Sequence, residues 1–212
     1  MQRLIMKHLL LSLLIAGTAA FAAEPKPLAD GKTFEGWEGD TASTWRIENG
    51  EFVAGRLTQK QPRNEFLSTK ASYGNFELTL DFKLTGVPGS GFINGGVQFR
   101  SERHPDGHEM IGFQADIGDP KYWGALYDES RRKKMLVEPD MEKVNAVLKR
   151  DDWNHYRILC EGPRIQLWVN GVQTVDYTEA DAAIPQTGKI GLQIHGGANT
   201  EVRYKNIVLK EL

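Results

Sequence analysis

The sequence predicts an all-β protein built as an antiparallel two-sheet sandwich, with one short helix at most. Many short segments alternate apolar and polar residues, most clearly 76–84, where five apolar residues occupy every second position. Asn49-Gly50 and Asn170-Gly171 each separate two such segments, and Asn-Gly favours the type I′ hairpin turn because that turn needs positive φ at both central residues. Short strands linked by turns are expected to pack as two sheets, each with one apolar face.

The overall composition fits a single folded domain rather than a nucleic-acid or membrane-surface protein. The chain has 212 residues, of which 40% are hydrophobic, and a formal net charge of -2. A charge this close to zero argues against binding nucleic acid or an anionic membrane surface. The longest basic run, 131–134, is expected to be a loop or strand end, from which Arg131 or Arg132 could reach a functional site. Cys160 is the only cysteine, so no internal disulfide is possible, and we expect it to be buried as a small apolar residue.

The N-terminal residues 1–22 are predicted to be a signal peptide, which leaves 23–212 as a single β-sandwich domain. Arg3 and Lys7 supply the positive start, an apolar segment follows, and Ala20-Phe21-Ala22 fits a cleavage site. The apolar segment is too short to span a bilayer permanently. We therefore expect a periplasmic or secreted protein with no stable membrane anchor after cleavage, the alternative being an uncleaved N-terminal anchor.

The mature chain is expected to start with a linker and a turn-rich segment, residues 24–37, and then to run almost entirely through strands. The predicted strands are 45–48, 51–54, 64–69, 76–84, 97–100, 111–117, 153–160, 164–169, 172–177, 189–195 and 201–209. Residues 139–148 are the one convincing helical candidate, with Pro139-Asp140 as a start signal. In the last strand the apolar phase changes after Tyr204, which predicts a β-bulge near Asn206.

Three of these strands carry an unusual set of polar side chains on the face opposite their apolar residues. The set comprises Gln98, Arg100, Gln114, Asp116, Gln193 and His195. Planar donors and acceptors on a rigid sheet suit the hydroxyl groups of a sugar. The alternative is that these residues form an ordinary solvent-exposed face without a functional role.

A metal site and a serine-nucleophile site both have weak support in the sequence. His104 and His108 lie four residues apart beside two carboxylates, but an intervening Pro and Gly indicate a turn rather than a helix. A divalent-metal site formed by Glu65, Asp116 and His195 is conceivable, and the sequence leaves this question open. No Ser occupies a nucleophile elbow, which argues against a Ser-His-Asp enzyme.

A series of short motifs extends over nearly the whole mature chain in a characteristic order and spacing. The motifs are Gly36-Trp37, Trp45, Asn49-Gly50, 75–78, 96–100, 112–117, Trp153-Asn154, Asn170-Gly171 and 191–195. Together they resemble the 3-keto-disaccharide hydrolase family. The resemblance implies an exported concanavalin A-like jelly-roll sandwich that cleaves glycosides whose ring carbon 3 has been oxidised to a ketone, with no organic cofactor.

The chemistry implied by this resemblance needs a base near C2, an acid near the glycosidic oxygen and a donor for the enolate oxygen. His195 is the candidate base, because histidine side chains titrate near neutral pH. Asp116 could orient it, bind a metal or act as the base. The remaining candidates are Glu129 and Glu65 as rival acids, Arg100 and Arg131 for the enolate, Trp123 and Tyr127 for stacking, and Gln98, Gln114 and Gln193 for hydroxyl groups.

Two other functions remain open at this point. A sandwich of the same shape could be a non-catalytic carbohydrate-binding module, which would bind sugars without turnover. A conventional glycosidase with two carboxylates is the third hypothesis, and it would cleave an unoxidised glycoside. In each case the expected partner is a carbohydrate, and the oligomeric state is not predicted.

Overall fold

A computed structural model describes residues 23–105 and 107–212, so the predicted signal peptide lies outside the described residues. Two antiparallel sheets face each other, which confirms the predicted sandwich. The strands are β1 Lys26–Pro27, β2 Trp37–Glu38, β3 Trp45–Glu48, β4 Glu51–Gly55, β5 Glu65–Thr69, β6 Phe76–Gly86, β7 Asn94–Arg103, β8 Met110–Gly118, β9 Leu126–Glu129, β10 Lys134–Val137, β11 Asn154–Glu161, β12 Arg164–Val169, β13 Val172–Thr178, β14 Lys189–Ile194 and β15 Thr200–Glu211. The one helix of the described residues, α1, is Met141–Asn145.

Neighbouring strands are mostly non-consecutive in the chain, as expected for a jelly roll. The back sheet has the order β13-β12-β11-β6-β15-β4-β3, and β1 pairs with β15. The front sheet has the order β10-β9-β8-β7-β14-β5-β2. The chain therefore crosses repeatedly between the two sheets, which buries the facing sides of both.

The core lies between the sheets and follows from the alternation along each strand. In β6 every second residue from Phe76 to Leu84 is buried, and the residues between them are partly exposed. Val97, Ala115 and Leu192 occupy the matching inner face of the front sheet. Cys160 is also buried in this core, as predicted, and burial raises the pKa of its thiol to about 12.

The predicted turns and the bulge are present. Asn49 and Asn170 have φ values of 52° and 48°, and the glycine after each also has positive φ, as type I′ turns require. Asn206 has φ 52°, and the pairing of β15 with β6 shifts register between residues 205 and 208. The helix is shorter than predicted and begins after Asp140, whose side chain accepts the backbone N–H groups of residues 142 and 143.

The sequence did not predict β9 and β10, which form a hairpin at one edge of the front sheet. Each strand has only four residues, and the basic turn at 131–133 separates them, so no alternating run was long enough to detect. Their position matters because β9 pairs with β8 and carries Tyr127 and Glu129. Across 23–105 and 107–212, no helix has the length and apolar character needed to cross a bilayer.

Candidate active site

A pocket of about 260 Å³ opens on the outer face of the front sheet, opposite the core. This volume is slightly below the range of roughly 300–1,000 Å³ typical of small-molecule sites and suits a ligand the size of one sugar ring. The lining residues are Asn64, Phe92, Asn94, Gln114, Asp116, Tyr122, Tyr127, Glu129, Met135 and His195. Five of the predicted site residues are therefore together in one place: Gln114, Asp116, Tyr127, Glu129 and His195.

Strand register explains why these side chains share one face. Gln114 of β8 pairs with Tyr127 of β9 on one side and with Gln98 of β7 on the other. Asp116 pairs with Gly96, which has no side chain. A Cβ at Gly96 would lie 2.8 Å from Cδ of Gln114, so the missing side chain provides the space that the Gln114 amide fills.

Asp116 is a buried carboxyl held by two amides. Its Oδ1 accepts a hydrogen bond from Asn94 Nδ2 at 3.1 Å and another from Gln114 Nε2 at 3.0 Å. Burial, the largest influence, raises the pKa of Asp116 to about 7, and the charge of Glu129 adds to the rise while the two amides oppose it. Near neutral pH this carboxyl is therefore poised between its protonated and ionised forms.

Glu129 at the end of β9 is the second acid of the pocket, and it is partly buried. Burial raises its pKa, and the nearby charge of Glu109 raises it further, whereas the N–H and hydroxyl of Ser130 act in the opposite direction. The Ser130 N–H donates to Glu129 Oε1 at 3.1 Å. Tyr127 stands beside it, and burial together with the charge of Glu129 raises the pKa of that phenol.

His195 follows β14 and forms the opposite wall of the pocket. Its Nδ1 lies 2.6 Å from the Gly196 carbonyl oxygen, which can only accept a hydrogen bond, so Nδ1 carries the proton. Nε2 of the neutral ring is then a hydrogen-bond and proton acceptor. The ring is fixed by an edge-to-face contact with Phe92 at 4.9 Å, and Phe92 makes a similar contact with Tyr122 at 5.5 Å.

Several lining residues were not predicted. Asn94 could have been found, because it continues the alternation of Gly96 and Gln98 toward the start of β7. Phe92, Tyr122 and Asn64 lie in loops, where no periodic pattern indicates the direction of a side chain.

Asn64 connects the His195 wall of the pocket to Glu109. Its Oδ1 accepts the Gly196 N–H at 2.9 Å, and its Nδ2 donates to Glu109 Oε1 at 3.2 Å. Gly196 follows His195 directly, so Asn64 helps to fix the backbone that carries the candidate base.

The prediction that Arg100 shares this face is wrong. Arg100 has φ 46°, and the pairing of β7 with β8 shifts register between residues 99 and 102, so a bulge reverses the alternation at this point. Its guanidinium donates to the carbonyl oxygens of Gly74 at 3.0 Å and Gly162 at 2.7 Å, both in loops that border back-sheet strands. Arg100 therefore ties the front sheet to the back sheet instead of facing the pocket.

Trp123 and Arg131 also lie outside the pocket, contrary to prediction. Trp123 is buried in the core, where it stacks on Phe82 with ring centroids 6.3 Å apart. Arg131 pairs with Asp128 at 2.9 Å and lies over the Phe113 ring at 4.7 Å, on the inner side of the sheet edge. Trp123 is thus a packing residue, and Arg131 closes the edge of the core.

Glu65 faces away from the pocket as well, so the prediction that it contacts the same ligand does not fit the geometry. It pairs in register with Ile194 of the inner face, is only 4% exposed, and accepts from Arg63 Nε at 2.8 Å. It lines a separate groove together with Arg63 and Arg103.

Gln98 and Gln193 share the outer face but lie beneath the pocket surface. Gln98 donates to Gln114 Oε1 at 2.8 Å and accepts from the Ser101 hydroxyl at 2.7 Å. Gln193 is fully buried, and its amide makes no hydrogen bond of ordinary geometry. Its proximity acts to lower the pKa of Glu129, but burial, which raises that pKa, has the larger effect. These two amides support the lining residues, and neither is exposed to a ligand.

Of the conceivable metal ligands, Asp116 and His195 line the pocket, and Glu65 lines the separate groove. The His104 N–H donates to the Glu109 carbonyl oxygen at 2.9 Å. Leaving residue 106 and the N-terminal 22 aside, no group of three or more His, Cys, Asp or Glu side chains is arranged to hold a metal ion.

Comparison with known families assigns the chain. Residues 24–210 match the 3-keto-alpha-glucoside-1,2-lyase-like domain. The chain belongs to this family. A search of curated proteins gives no significant match.

Solved structures of the same shape are numerous, and their low identities mean that they support the fold alone. A proposed glycosyl hydrolase from Parabacteroides distasonis aligns with 20% identity and a TM-score of 0.65, over 89% of this chain and 94% of its own. A carbohydrate-binding module from Bacillus subtilis aligns with 15% identity and a TM-score of 0.58, over 81% and 93%. The β-glucanase of Bacillus licheniformis aligns with 14% identity and a TM-score of 0.57, over 92% and 100%.

Proposed function

We propose that this protein is a carbohydrate-active enzyme that cleaves the glycosidic bond of 3-keto-glucosides by elimination. The observation that carries the proposal is the meeting, in one pocket, of His195 with two carboxyls of raised pKa, the buried Asp116 and the partly buried Glu129. His195 binds the Gly196 carbonyl oxygen through Nδ1, so Nε2 is the nitrogen that can accept a proton. Membership of the lyase-like family supports the same reaction class and a carbohydrate-active role. The glucanase and binding-module folds fit a sugar ligand.

The reaction follows from the acidity that a ketone gives to its neighbouring carbon. Nε2 of His195 removes the proton from C2, and the electron pair moves toward the C3 oxygen to form an enolate. The enolate then re-forms the ketone as a C1–C2 double bond develops and the C1–oxygen bond breaks. Glu129 delivers a proton to the departing oxygen, so the products are an unsaturated 3-keto sugar and a free alcohol. Addition of water across the double bond would complete a net hydrolysis.

The enolate needs a donor, and neither arginine expected for that role faces the pocket. The lining residues, all within the described part of the chain, include no Lys or Arg. A protonated Asp116 supplies a donor, because its pKa of about 7 keeps a large neutral fraction near neutral pH. The amides of Asn94 and Gln114 hold this carboxyl in position.

The character of the pocket also limits the substrate. Two acidic groups without a neighbouring guanidinium or ammonium group disfavour phosphate and carboxylate ligands, and therefore favour an uncharged sugar. Phe92, Tyr122 and Tyr127 supply aromatic faces and edges against which a sugar ring can pack.

The test is incubation of the purified protein with a 3-keto-glucoside and with the same glucoside unoxidised, followed by product analysis and by ²H exchange at C2 in D₂O. We expect turnover of the oxidised sugar alone. His195→Gln should lower kcat by roughly 100- to 10,000-fold if the imidazole is the base. His155→Gln is the matched control, because His155 lies on the back sheet, half-exposed and paired with Asp81 at 2.8 Å.

Other outcomes separate the remaining functions. Binding of both sugars without turnover of either would support the carbohydrate-binding module. Cleavage of the unoxidised glycoside would support a conventional glycosidase with two carboxylates. The same assay with a chelator tests for a divalent metal. Loss of activity with the chelator, and its return when metal is added, would show that the reaction needs a metal ion.

The location of the protein is part of the proposal. A signal peptide at 1–22 would deliver the domain to the periplasm or the medium, where it would meet oxidised sugars. Expression of the full chain in a two-membrane bacterium, cell fractionation and mass spectrometry of the N-terminus should give a mature protein starting near Ala23. Recovery of the uncleaved chain in the membrane fraction would instead support an N-terminal anchor.

A further inference from the structure

Two tyrosines reach across the core from the back sheet and bind the backbone of the front sheet beneath the pocket. The Tyr156 hydroxyl of β11 donates to the Asp116 carbonyl oxygen at 3.2 Å. The Tyr204 hydroxyl of β15 lies 3.0 Å from the Gly96 carbonyl oxygen and 2.9 Å from that of Gln193. Because a hydroxyl group has one proton, those two carbonyl oxygens share it. Both tyrosine side chains are fully buried.

The three carbonyl groups belong to one row of paired residues across the front sheet. Gly96 of β7 pairs with Asp116 of β8 on one side and with Gln193 of β14 on the other. The Asp116 side chain lines the pocket above this row, and His195, which also lines it, is two residues beyond Gln193. The tyrosine hydroxyl groups therefore hold the strands that carry the candidate donor and the candidate base.

Gly95 gives the Tyr204 hydroxyl access to these carbonyl groups. Alternation places Gly95 on the inner face of the front sheet, whereas Gly96 lies on the outer face. A Cβ at Gly95 would lie 3.0 Å from the Gln193 carbonyl oxygen and 3.4 Å from the Tyr204 hydroxyl oxygen. The two adjacent glycines thus serve opposite faces, since the missing side chain of Gly96 leaves space for the Gln114 amide.

Packing alone does not require either hydroxyl group. The residues that pair with Tyr156 and Tyr204 in the back sheet are all apolar: Leu80, Val169, Phe52 and Phe82. A buried hydroxyl group costs free energy unless it is hydrogen-bonded, so phenylalanine would suit the packing at both positions. Burial raises the pKa of both phenols, so each remains a proton donor near neutral pH. The carbonyl groups that they reach explain why hydroxyl groups are present.

From these contacts we propose that Tyr156 and Tyr204 are positioning residues, which act from the opposite sheet on the backbone that carries the candidate donor and base. This inference rests on the proposed function for the reaction that reports it. Neither tyrosine lines the pocket. Their hydroxyl groups set the separation of Asp116 from His195, and a misplacement of about 1 Å in a catalytic group can cost roughly 100-fold in rate.

The experiment removes one oxygen atom at a time. Tyr156→Phe and Tyr204→Phe keep the aromatic ring and delete the hydroxyl group that holds the row. We expect kcat for a 3-keto-glucoside, and ²H exchange at its C2, to fall by roughly 10- to 100-fold in each variant, with little change in KM. Tyr177→Phe is the matched control, because the Tyr177 hydroxyl donates to Glu179 Oε2 at 3.1 Å, outside the pocket. The control also loses a hydrogen bond, and it should keep the wild-type kcat.

A further variant tests the same contact from the front sheet. Gly95→Ala leaves both tyrosines in place and crowds the Gln193 carbonyl oxygen. It should lower kcat as Tyr204→Phe does, and the double variant should fall no further, because both changes act on one contact. Losses that multiply in the double variant would overturn the role assigned to Tyr204.

Ligand-free crystal structures of the same variants keep this inference separable from the proposed reaction. An active wild-type protein, with unchanged kcat in Tyr156→Phe and Tyr204→Phe, would overturn the positioning role and leave the elimination standing. An inactive wild-type protein would overturn the elimination, and the structures would then decide the positioning role. Displacement of the Asp116 carboxyl or the His195 ring in the variants would support it, and wild-type positions of both groups would overturn it.

Discussion

Replacing Asp116 by Asn should stabilise the fold at neutral and alkaline pH while leaving it unchanged in acid. The carboxyl is only 5% exposed, and its Oδ1 accepts from the amides of Asn94 and Gln114. Asn keeps the size of the side chain and keeps an oxygen for those two donors. It removes the negative charge, whose burial is the reason for the raised pKa.

The size of the effect follows from linkage between proton binding and folding. The pKa of Asp116 rises from its ordinary value of 3.8 to about 7 in the folded protein. This difference is about three pH units, each worth about 1.36 kcal/mol, so ionisation costs the fold on the order of 4 kcal/mol. Because the folded pKa is the higher one, the stability is fully present below pH 3.8 and is lost progressively as pH rises toward 7.

The assay is urea denaturation of the wild-type and Asp116→Asn proteins at several pH values between 4 and 8.5, with Asp151→Asn as control. Asp151 is exposed and has φ 57°, which Asn accepts, so its replacement should change stability little and without this pH dependence. The free energies of unfolding of the wild-type and Asp116→Asn proteins should coincide in acid and diverge by several kcal/mol above pH 7. A constant difference across the range would refute the assignment of Asp116 as a buried carboxyl that resists ionisation.

Two further predictions concern the neighbours of these groups. Gly96→Ala should lower kcat/KM, because the new Cβ would lie 2.8 Å from Gln114 Cδ and displace that amide, at an overpacking cost of roughly 1–3 kcal/mol. Gly74→Ala is the control, because a Cβ at Gly74 would lie 3.8 Å from its nearest neighbouring atom. Equal activities of the two variants would contradict the packing argument. Glu109→Gln should move the alkaline limb of the kcat profile to lower pH, since loss of its charge lowers the pKa of Glu129. A profile that stays in place would show that ionisation of Glu129 does not set the alkaline limb.

The site residues that lie on strands could be predicted from the sequence, because alternation with a period of two shows which face of the sheet each side chain lies on. Gln114 and Asp116 are two apart in one strand with apolar residues between them, so a single strand assignment places both on the outer side. The same rule failed for Arg100, because a bulge with positive φ reverses the side on which its side chain lies. Nothing in the local sequence marks that reversal as clearly as Asn206 marks the bulge of the last strand.

The remaining part of the site depends on long-range contacts that no sequence pattern encodes. Asn64 and Phe92 come from loops, and their directions are set by what they touch, such as the Gly196 N–H and the His195 ring. Trp123 was expected to stack on a sugar, but a Trp without an alternating context is placed by the nearest apolar space, which here is Phe82 in the core.

The positions of Arg100 and Arg131 also change the pH dependence expected of the reaction. A guanidinium would stabilise an enolate at every pH near neutral, whereas a carboxyl with a pKa of about 7 does so only while it is protonated. Activity should therefore fall as Asp116 ionises above pH 7. Asp116→Asn retains an N–H donor at the same place and should keep measurable activity with a weaker alkaline decline, measured as kcat from pH 5.5 to 8.5. Complete loss of activity at every pH in this variant would show instead that Asp116 accepts the C2 proton, and His195 would then be a positioning residue.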